Sequence, residues 1–248
     1  MAENNVVLLT GASSGIGEAA ARLLNDSGYM VYGTSRKPEI PPAPGIEMLE
    51  LEVREDDSVE QCVETVIDRA GRIDVLVNNA GYAHRGPLED VTIDEFRDQF
   101  ETNLYGVHRM VRAVLPQMFR QGGGRIVNIS SAIGRIAVPY SVTYCSSKFA
   151  LEGYSEGLAK ELAPLGIEVV IMEPGLTDTP FHKNATKTES VNERYRERIE
   201  AGRAGLPERM KAADSAEDVA RVILAAVRDE KPALRYLAPM AKKSLGVE

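Results

Sequence analysis

Cysteine is scarce in this sequence, and so is histidine. The two cysteines, Cys62 and Cys145, are too few for a disulfide framework and form no metal-binding set. The three histidines, His84, His108 and His182, are widely spaced and match no ligand pattern. We therefore expect no bound metal, and this cysteine usage agrees with a reducing compartment.

Long apolar runs and an excess of positive charge are also missing. No apolar run approaches the roughly 20 residues that a membrane helix needs, and the first residues, MAENNVVLLT, have no signal-peptide pattern. The 29 Lys and Arg residues are outnumbered by 37 Asp and Glu, which gives a net charge of −8. Such a balance repels phosphate backbones and anionic membranes. We therefore expect a soluble, cytoplasmic protein without a membrane span or a nucleic-acid partner.

The chain alternates short apolar segments with longer helix-like ones. The strand-like segments are 6–10, 30–34, 48–53, 74–78, 125–130, 168–173 and 234–237, and the helix-like segments are 15–26, 56–70, 92–119, 141–163 and 215–228. Thr92 and Glu95 form a capping-box pattern that opens the third helix. Such alternation predicts an α/β, Rossmann-type doubly wound parallel sheet of about seven strands with helices on both faces. We expect a single dinucleotide-binding catalytic domain over residues 1–248, with an insertion at about 180–211.

A glycine-rich turn, from Thr10 to Gly17, follows the first strand-like segment. Its glycines, Gly11, Gly15 and Gly17, are spaced G-x-x-x-G-x-G rather than G-x-G-x-x-G. Glycine lets a backbone turn tightly and approach a pyrophosphate, and the N-terminus of the following helix offers N–H groups to that anion. The turn predicts a dinucleotide site, while a simple tight strand–helix connection has the same composition.

Further motifs follow the glycine turn in a fixed order. They are Asn78-Asn79-Ala80-Gly81, Asn103, Ser131, Tyr144-x-x-x-Lys148 and Pro174-Gly175. Together with the turn, they resemble the short-chain dehydrogenase/reductase family over about residues 5–180. The segments 144–153 and 232–236 are similar to the NADP-using hydroxysteroid and retinol dehydrogenase branch of that family. The resemblance implies an oxidoreductase that uses a nicotinamide cofactor.

Tyr144 and Lys148 are four residues apart on a predicted helix and therefore share one face. Tyrosine has a pKa of about 10, and a nearby ammonium favours the phenolate and lowers that pKa. Such a phenol can give a proton to a ketone oxygen or take one from an alcohol. Ser131, at the end of a strand, can hydrogen-bond the substrate oxygen where negative charge develops. The resemblance adds Asn103, which in the family holds a water that completes a proton relay.

The end of the second strand-like segment indicates which nicotinamide cofactor is used. An NAD enzyme places an acidic residue there, about 20 residues past the glycine turn, and this chain has Ser35 instead. Arg36 follows, and its guanidinium suits a 2′-phosphate. Ser14 can add a hydroxyl from the turn. We therefore expect NADP(H), with the alternative that Arg36 is a solvated loop charge.

The remaining candidate residues lie after the other strands. By resemblance and position, cofactor contacts are expected from Gly11, Ser13, Ser14, Gly15, Ile16, Gly17, Ser35, Arg36, Glu52, Val53, Asn79, Ala80, Gly81, Tyr144, Lys148, Pro174, Gly175, Thr177 and Thr179. Substrate contacts are expected from Ser131, Ile133, Tyr140, Leu176 and Phe181. Most of these walls are apolar, which predicts a substrate with an apolar body.

The chain from Phe181 to Lys211 should cover the pocket. It has eight Lys and Arg residues and five Glu in a chain that is acidic as a whole. These charges either draw an acidic substrate, such as an acyl thioester, or belong to a solvated helix with i,i+4 pairs. We favour the solvated helix.

These observations predict an NADP(H)-dependent oxidoreductase that moves a hydride between its cofactor and a carbonyl or secondary alcohol. The alternatives are a 3-oxoacyl-thioester reductase of the same family and a non-catalytic NADP-binding regulator. A regulator needs the glycine turn but not Ser131, Tyr144 and Lys148, so the complete set favours an enzyme. By resemblance, the helices near 92–119 and 141–163 pair in a homo-oligomer, a dimer or a tetramer.

Overall fold

Seven parallel strands form the central sheet. The computed structural model describes residues 5–38, 41–188 and 191–247. The strands are β1 (Val6–Leu9), β2 (Met30–Ser35), β3 (Glu47–Glu50), β4 (Val75–Asn78), β5 (Gly124–Ile129), β6 (Ile167–Glu173) and β7 (Arg235–Leu237). They lie in the order β3-β2-β1-β4-β5-β6-β7, so the strand order reverses between β1 and β4. This arrangement confirms the predicted doubly wound α/β sheet.

Helices cover both faces of the sheet. They are α1 (Gly15–Asp26), α2 (Asp56–Ala70), α3 (Ile93–Phe100), α4 (Gly106–Arg120), α5 (Val142–Leu162), α6 (Glu193–Ala204), α7 (Leu206–Met210), α8 (Ala216–Arg228) and α9 (Pro239–Leu245). Helices α1 and α8 pack on one face, and α2, α4 and α5 pack on the other. Within the described residues, no helix has the length and apolar character needed to span a membrane.

Alternation along β1 explains why both faces are covered. Val7 and Leu9 enter the core beneath α1 and α8, whereas Val6 and Leu8 enter the core beneath α2, α4 and α5. Successive side chains of a strand point to opposite faces, so a continuous apolar strand needs a helical layer on each side. The carboxyl ends of all seven strands then meet at one edge of the sheet, which is where the sequence motifs lie.

The third strand is shorter than predicted. The sequence predicts a strand over 48–53, but β3 ends at Glu50. Ser35, the last residue of β2, is the register partner of Glu50, so no neighbouring strand remains for β3 to pair with beyond that point. Glu52 and Val53 therefore lie in the turn before α2 rather than at the end of a strand.

The helix predicted over 92–119 is present from Ile93 to Arg120 but is not uniformly α-helical. The capping box of Thr92 and Glu95 does open α3, with both of its hydrogen bonds present. After Phe100, however, the chain widens into a π-helical segment, Glu101–Tyr105, before α4 begins. Such segments insert an extra residue into a helix and are frequent at functional sites. Here the segment carries Asn103.

The predicted insertion at 180–211 holds a short helical turn, a two-residue strand and helices α6 and α7. The strand, Thr186–Lys187, pairs with His84–Arg85 after β4. Neither α6 nor α7 has a buried residue, which agrees with the favoured solvated helix. Residues 189–190 of the predicted insertion lie outside the described residues.

Candidate active site

The glycine turn between β1 and α1 has no room for side chains at its critical positions. Gly11 and Gly15 have φ angles of +71° and +58°, which L-residues with a side chain rarely adopt. A Cβ at Gly17 would lie 2.1 Å from the Gly11 carbonyl oxygen. Ser14, the N-cap of α1, makes no side-chain capping hydrogen bond. The turn therefore places backbone N–H groups at the start of α1 without side chains that would cover them. An anionic ligand can accept hydrogen bonds from such groups.

Thr10 and Asn79 tie this turn to the end of β4. The Thr10 hydroxyl accepts hydrogen bonds from the Asn79 and Ala80 backbone N–H groups at 3.0 and 2.9 Å. The Asn79 amide donates to the carbonyl oxygens of Thr10 and Gly11 at 2.9 and 3.0 Å. The two strand ends on either side of the reversal point are thereby held together.

Ser35 and Arg36 lie where the sequence places them, at the carboxyl end of β2. The Ser35 hydroxyl accepts from the Lys37 backbone N–H at 3.1 Å. Arg36 is exposed, and among the described residues its side chain makes no ion pair. Beside them, Glu52 accepts from the Arg54 N–H at 3.1 Å, and Val53 is buried against Gly106.

Tyr144 and Lys148 lie on one face of α5 and are both buried. The Lys148 ammonium nitrogen is 5.9 Å from the centre of the Tyr144 ring and donates to the Ile129 carbonyl oxygen at 2.7 Å. Burial lowers the pKa of Lys148 to about 8, and the carboxylate of Glu152 opposes this shift. An ammonium with so low a pKa can change charge close to physiological pH.

The pKa of Tyr144 is raised, whereas the sequence predicts that the neighbouring Lys148 lowers it. Burial raises this pKa above the ordinary value, although a hydrogen bond from Ser131 and the charge of Arg85 both act to lower it. Loss of hydration disfavours a phenolate more than the nearby cations favour it. Tyr144 is therefore held as the neutral phenol, a proton donor.

Ser131 follows β5 and sits beside Tyr144. Its hydroxyl is 3.5 Å from the Pro174 carbonyl oxygen and 3.4 Å from the Ile133 N–H. Both of these contacts are long, and the remaining neighbour of the hydroxyl is Tyr144. Ser130, by contrast, is 2% exposed, and its hydroxyl has no hydrogen-bond partner among the described residues. Ser131, the serine that the interval to the tyrosine selects, is the one that contacts Tyr144.

Asn103 supports the backbone of the site from the π-helical segment. It is buried, accepts from the Tyr82 N–H at 3.2 Å and donates to the Tyr82 carbonyl oxygen at 3.0 Å. The same amide donates to the Ser147 hydroxyl at 3.1 Å, and Ser147 donates to the Tyr144 carbonyl oxygen at 2.8 Å. Asn103 therefore links the loop after β4 to the turn of α5 that carries Tyr144.

The Pro174-Gly175 loop after β6 closes the other side of the site. A Cβ at Gly175 would lie 2.5 Å from the Ala241 backbone nitrogen, and one at Gly15 would lie 3.2 Å from the Thr179 Cβ. Thr177 is buried and donates to the Gly175 carbonyl oxygen at 3.1 Å. The loop thus packs against the glycine turn as well as α9.

Two of the expected substrate walls adjoin Tyr144. The Phe181 ring lies 5.7 Å from the Tyr144 ring, and Ile133 packs in the same small cluster. Tyr140 instead packs against Tyr195 of α6, with ring centres 6.2 Å apart. Leu176 accepts a backbone hydrogen bond from Asp214 at 2.9 Å, on the side of α8.

Several residues of the site were not singled out by the sequence. Ser147 holds Tyr144 and Asn103, and Gln99, which is fully buried, ties the Tyr82 carbonyl to the His84 N–H. Arg85 and His182 meet beside Phe181 with 3.0 Å between their nitrogens. Polar residues at helical spacing, such as Gln99 and Asn103, were the available signal for the first group. Arg85 and His182 are 97 residues apart and had none.

Comparison with known proteins decides the family. The sequence profile described as short chain dehydrogenase matches residues 5–190. The chain belongs to the short-chain dehydrogenase family. It is thus an oxidoreductase of a family that uses nicotinamide cofactors, and the resemblance in its motifs is confirmed.

Two relatives of this short-chain dehydrogenase have named activities. A 3-ketodihydrosphingosine reductase from Bacteroides thetaiotaomicron is 45% identical over 192 residues, which cover 77% of this chain and 71% of the relative. The human 17-beta-hydroxysteroid dehydrogenase type 1 is 38% identical over 256 residues, with coverage of 93% and 76%. Both names describe reactions at a carbonyl or hydroxyl group of those proteins' own substrates.

Two solved structures are similar to this chain over nearly its whole length. A short-chain dehydrogenase from Streptomyces avermitilis has a TM-score of 0.86 and 38% identity, and the match covers 98% of this chain and 90% of that one. A 3-ketoacyl-(acyl-carrier-protein) reductase from Brucella melitensis, complexed with NADH, has a TM-score of 0.79 and 25% identity, with coverage of 96% and 99%.

Proposed function

We propose that this protein is an NADP(H)-dependent oxidoreductase that interconverts a carbonyl and a secondary alcohol on a substrate with an apolar body. The observation that carries the proposal is the grouping of Ser131, Tyr144 and Lys148 beside the glycine turn at the carboxyl edge of the sheet. In this proposal, Tyr144 is the proton donor, Ser131 supplies a hydroxyl for the substrate oxygen, and Lys148 supplies a positive charge. The three would lie at the nicotinamide end of a bound dinucleotide. The membership of the chain in a dehydrogenase family supports the same conclusion.

The residues present fit a nicotinamide dinucleotide. Gly11 and Gly17 pack directly against neighbouring backbone and the Asn79 amide, which keeps the turn tight at the start of α1, where a helix offers N–H groups to an anion. The proposed cofactor contacts are Gly11, Ser13, Ser14, Gly15, Ile16, Gly17, Ser35, Arg36, Glu52, Val53, Asn79, Ala80, Gly81, Tyr144, Lys148, Pro174, Gly175, Thr177 and Thr179. When bound, the cofactor supplies or accepts the hydride, and the protein supplies position and charge.

Each residue of the reacting group has a separate role in this proposal. Ser131 donates a hydrogen bond to the substrate oxygen, since its own contacts are long. Tyr144, held neutral by burial, gives its proton to that oxygen in the reducing direction and takes it back in the oxidising direction. The Lys148 ammonium favours the phenolate left behind. Asn103 positions this turn of α5 through Ser147.

Replacing Tyr144 by Phe tests the reaction class. NADPH oxidation is followed by absorbance with a panel of steroids, retinoids, simple ketones and acetoacetyl thioesters. Tyr144→Phe should bind NADPH with unchanged affinity and lose at least 100-fold in kcat, because the proton donor contributes about 10²–10⁴ to the rate. Turnover at the wild-type rate in this variant would overturn the assignment of Tyr144.

The choice of NADP(H) over NAD(H) rests on Ser35 and Arg36. A serine at this place leaves room for a 2′-phosphate, and Arg36 offers an exposed guanidinium without an ion-pair partner among the described residues. Fluorescence titration of the wild type should give a lower Kd for NADPH than for NADH. Arg36→Gln should weaken NADPH binding tenfold or more and leave NADH binding alone, with Arg54→Gln as a surface control. Equal binding of the two cofactors would contradict the proposal.

We also propose that the protein is a homo-oligomer. Val142 and Phe149 on α5 are exposed and line one open groove with Ala137, and exposed apolar patches of this kind mark interfaces. A second copy of the chain is the proposed occupant. The cytoplasmic location of the protein remains a prediction from the sequence.

A further inference from the structure

Arg85 lies on the same side of its segment as the residue that touches Tyr144. His84–Arg85 is a two-residue strand after β4, paired with Thr186–Lys187. Ala83 is buried in a cluster with Tyr144. In an extended chain, residues two apart point to one face, so the Arg85 side chain leaves on the face of Ala83. Arg85 is half-buried there, and its strand packs against α5.

His182 fixes the direction of the Arg85 guanidinium. The Arg85 Nη2 donates to the His182 Nδ1 at 3.0 Å, and since arginine is always a donor, this nitrogen must be the unprotonated one. Burial and the charge of Arg85 lower the pKa of His182, which keeps the ring neutral, and a hydrogen bond to the Thr177 backbone holds it. The arrangement occupies one N–H of Arg85 and leaves the other side of its fork free.

The rings of His182 and Phe181 form a chain of contacts from the Arg85 guanidinium to Tyr144. The His182 ring meets the Phe181 ring edge-on, with centres 5.9 Å apart, and the Phe181 ring lies 5.7 Å from the Tyr144 ring. The charge of Arg85 accordingly reaches Tyr144, whose pKa it acts to lower. The charge of Arg85 therefore acts at the position where the substrate oxygen would bind.

The positive charge of Arg85 has no counter-charge in the part of the chain that the structure describes. Burial lowers the pKa of Arg85, and the neighbouring cation Arg209 lowers it further. A half-buried cation facing another cation is costly unless an anion joins them. Carboxylates match the planar fork of arginine with two parallel hydrogen bonds.

We propose that Arg85 binds a carboxylate on the substrate, so that the enzyme acts on oxo acids or hydroxy acids with an apolar stretch between the two groups. Phe181 and Ile133 line that stretch. This inference rests on the proposed carbonyl chemistry and adds the substrate class.

Matched pairs of substrates test the inference. The probes are 4-oxo-, 5-oxo- and 6-oxo-octanoate, each with its methyl ester, which differs only in the charge. For the wild type with NADPH, at least one acid should have a kcat/KM tenfold or more above that of its ester. Arg85→Gln should remove this preference by lowering kcat/KM for the acid tenfold or more beyond any loss with the ester, which shares only the effect of Arg85 on Tyr144. Arg97→Gln, on the exposed surface of α3, is the control and should keep the preference.

Binding keeps the inference testable apart from turnover. Calorimetric titration of the same acids and esters into the enzyme with NADP⁺, which has no hydride to transfer to them, should show the same preference, and Arg85→Lys should retain part of it if Arg85→Gln does not fold. No acid–ester difference in both turnover and binding, or an equal loss for acid and ester in the arginine variants, would overturn the role of Arg85. A failure of the proposed function looks different: acid binding would depend on Arg85 while Tyr144→Phe left turnover unchanged.

Discussion

Thr10 shows how one hydroxyl can hold a cofactor turn. It is almost fully buried and accepts from two backbone N–H groups at the end of β4, which have no other partner among their described contacts. Leaving a buried donor unpaired costs about 1–3 kcal/mol. The shape of the glycine turn therefore depends on a side chain outside the glycines themselves.

Replacing Thr10 by Val should lower the free energy of unfolding by about 2–4 kcal/mol, because the variant keeps the shape and loses the acceptor. NADPH binding should weaken as well, because the glycine turn at Gly11 would no longer be held in its position relative to Asn79 at the end of β4. Urea denaturation and cofactor titration measure the two effects. Thr10→Ser, which keeps the hydroxyl, is the matched control and should lose much less. Equal stability of the Val and Ser variants would contradict this role of the hydroxyl.

Lys148 makes stability depend on pH in a direction that can be worked out. Its pKa is about 8 in the folded protein and near the ordinary 10.5 in the unfolded chain. Between these values the unfolded chain binds more protons, so the free energy of unfolding contributed by Lys148 rises with pH from about 8 to 10.5. Below pH 8 the buried ammonium is a full cost to the fold.

Lys148→Met should remove this rise. The difference in unfolding free energy between the wild type and Lys148→Met should change by up to about 3 kcal/mol in favour of the wild type between pH 8 and pH 10.5. Denaturation at several pH values measures it. Lys160→Met, on the exposed face of the same helix, is the control and should show no comparable change. A pH-independent difference for Lys148→Met would rule out a depressed pKa.

The residues of the site differ in how far the sequence could predict them. Tyr144 and Lys148 were predictable as neighbours because a spacing of four fixes a shared helix face. The pKa of Tyr144 was not, because burial outweighs the nearby cations and burial is a property of the whole fold. Arg85 had no signal in the sequence, and neither had the burial of its neighbour His84, which is hydrogen-bonded to Thr186. Nothing local distinguishes the two, since the partner of each is about 100 residues away.

At the scale of elements, the sequence predicted most boundaries within a few residues. It did not predict the π-helical segment, because the apolar periodicity continues across Glu101–Tyr105, where Asn103 makes a hydrogen bond to Tyr82 in the loop after β4. It overran β3 because the end of a strand depends on its neighbour, β2. In both cases the deciding information lies on another element.

Helix α6 is held mainly by polar contacts, beside a ring contact between Tyr195 and Tyr140. It has no buried residue, and its attachment runs through Glu89, which accepts from the Tyr195 hydroxyl at 2.8 Å and from the Asn192 amide at 3.0 Å. Asp90 adds a hydrogen bond from the Asn192 N–H at 2.9 Å. Segments with few buried apolar contacts open at low free-energy cost.

Replacing Glu89 by Ala should release α6. Limited trypsin digestion should cut first among the arginines of 194–209 in the wild type, and several-fold faster in Glu89→Ala, while the unfolding midpoint stays nearly unchanged. Mass spectrometry of the early fragments locates the cut. Glu217→Ala, an acidic surface residue of α8, is the control. First cleavage elsewhere in the chain would contradict the proposed anchoring.

At the scale of the molecule, the apolar groove on α5 bears on assembly. Phe149 is 45% exposed and Val142 40%, which is unusual for large apolar side chains next to one another. If a second copy covers this groove, a charge there should separate the copies. Phe149→Glu should lower the mass measured by light scattering after size exclusion, whereas Met30→Glu, exposed at the other end of the sheet, should not. A monomeric wild type would refute the oligomer.

The absence of buried residues in α6 also matters for engineering. Substitutions on a helix that contributes nothing to the core change the free energy of unfolding little, whereas substitutions in β5, four of whose residues are buried, do not share this tolerance. A library randomised over residues 193–204 should therefore keep most of its members folded. If α6 covers the substrate pocket, as the sequence predicts for residues 180–211, such a library can be screened for new substrates while the strands of the sheet stay unchanged.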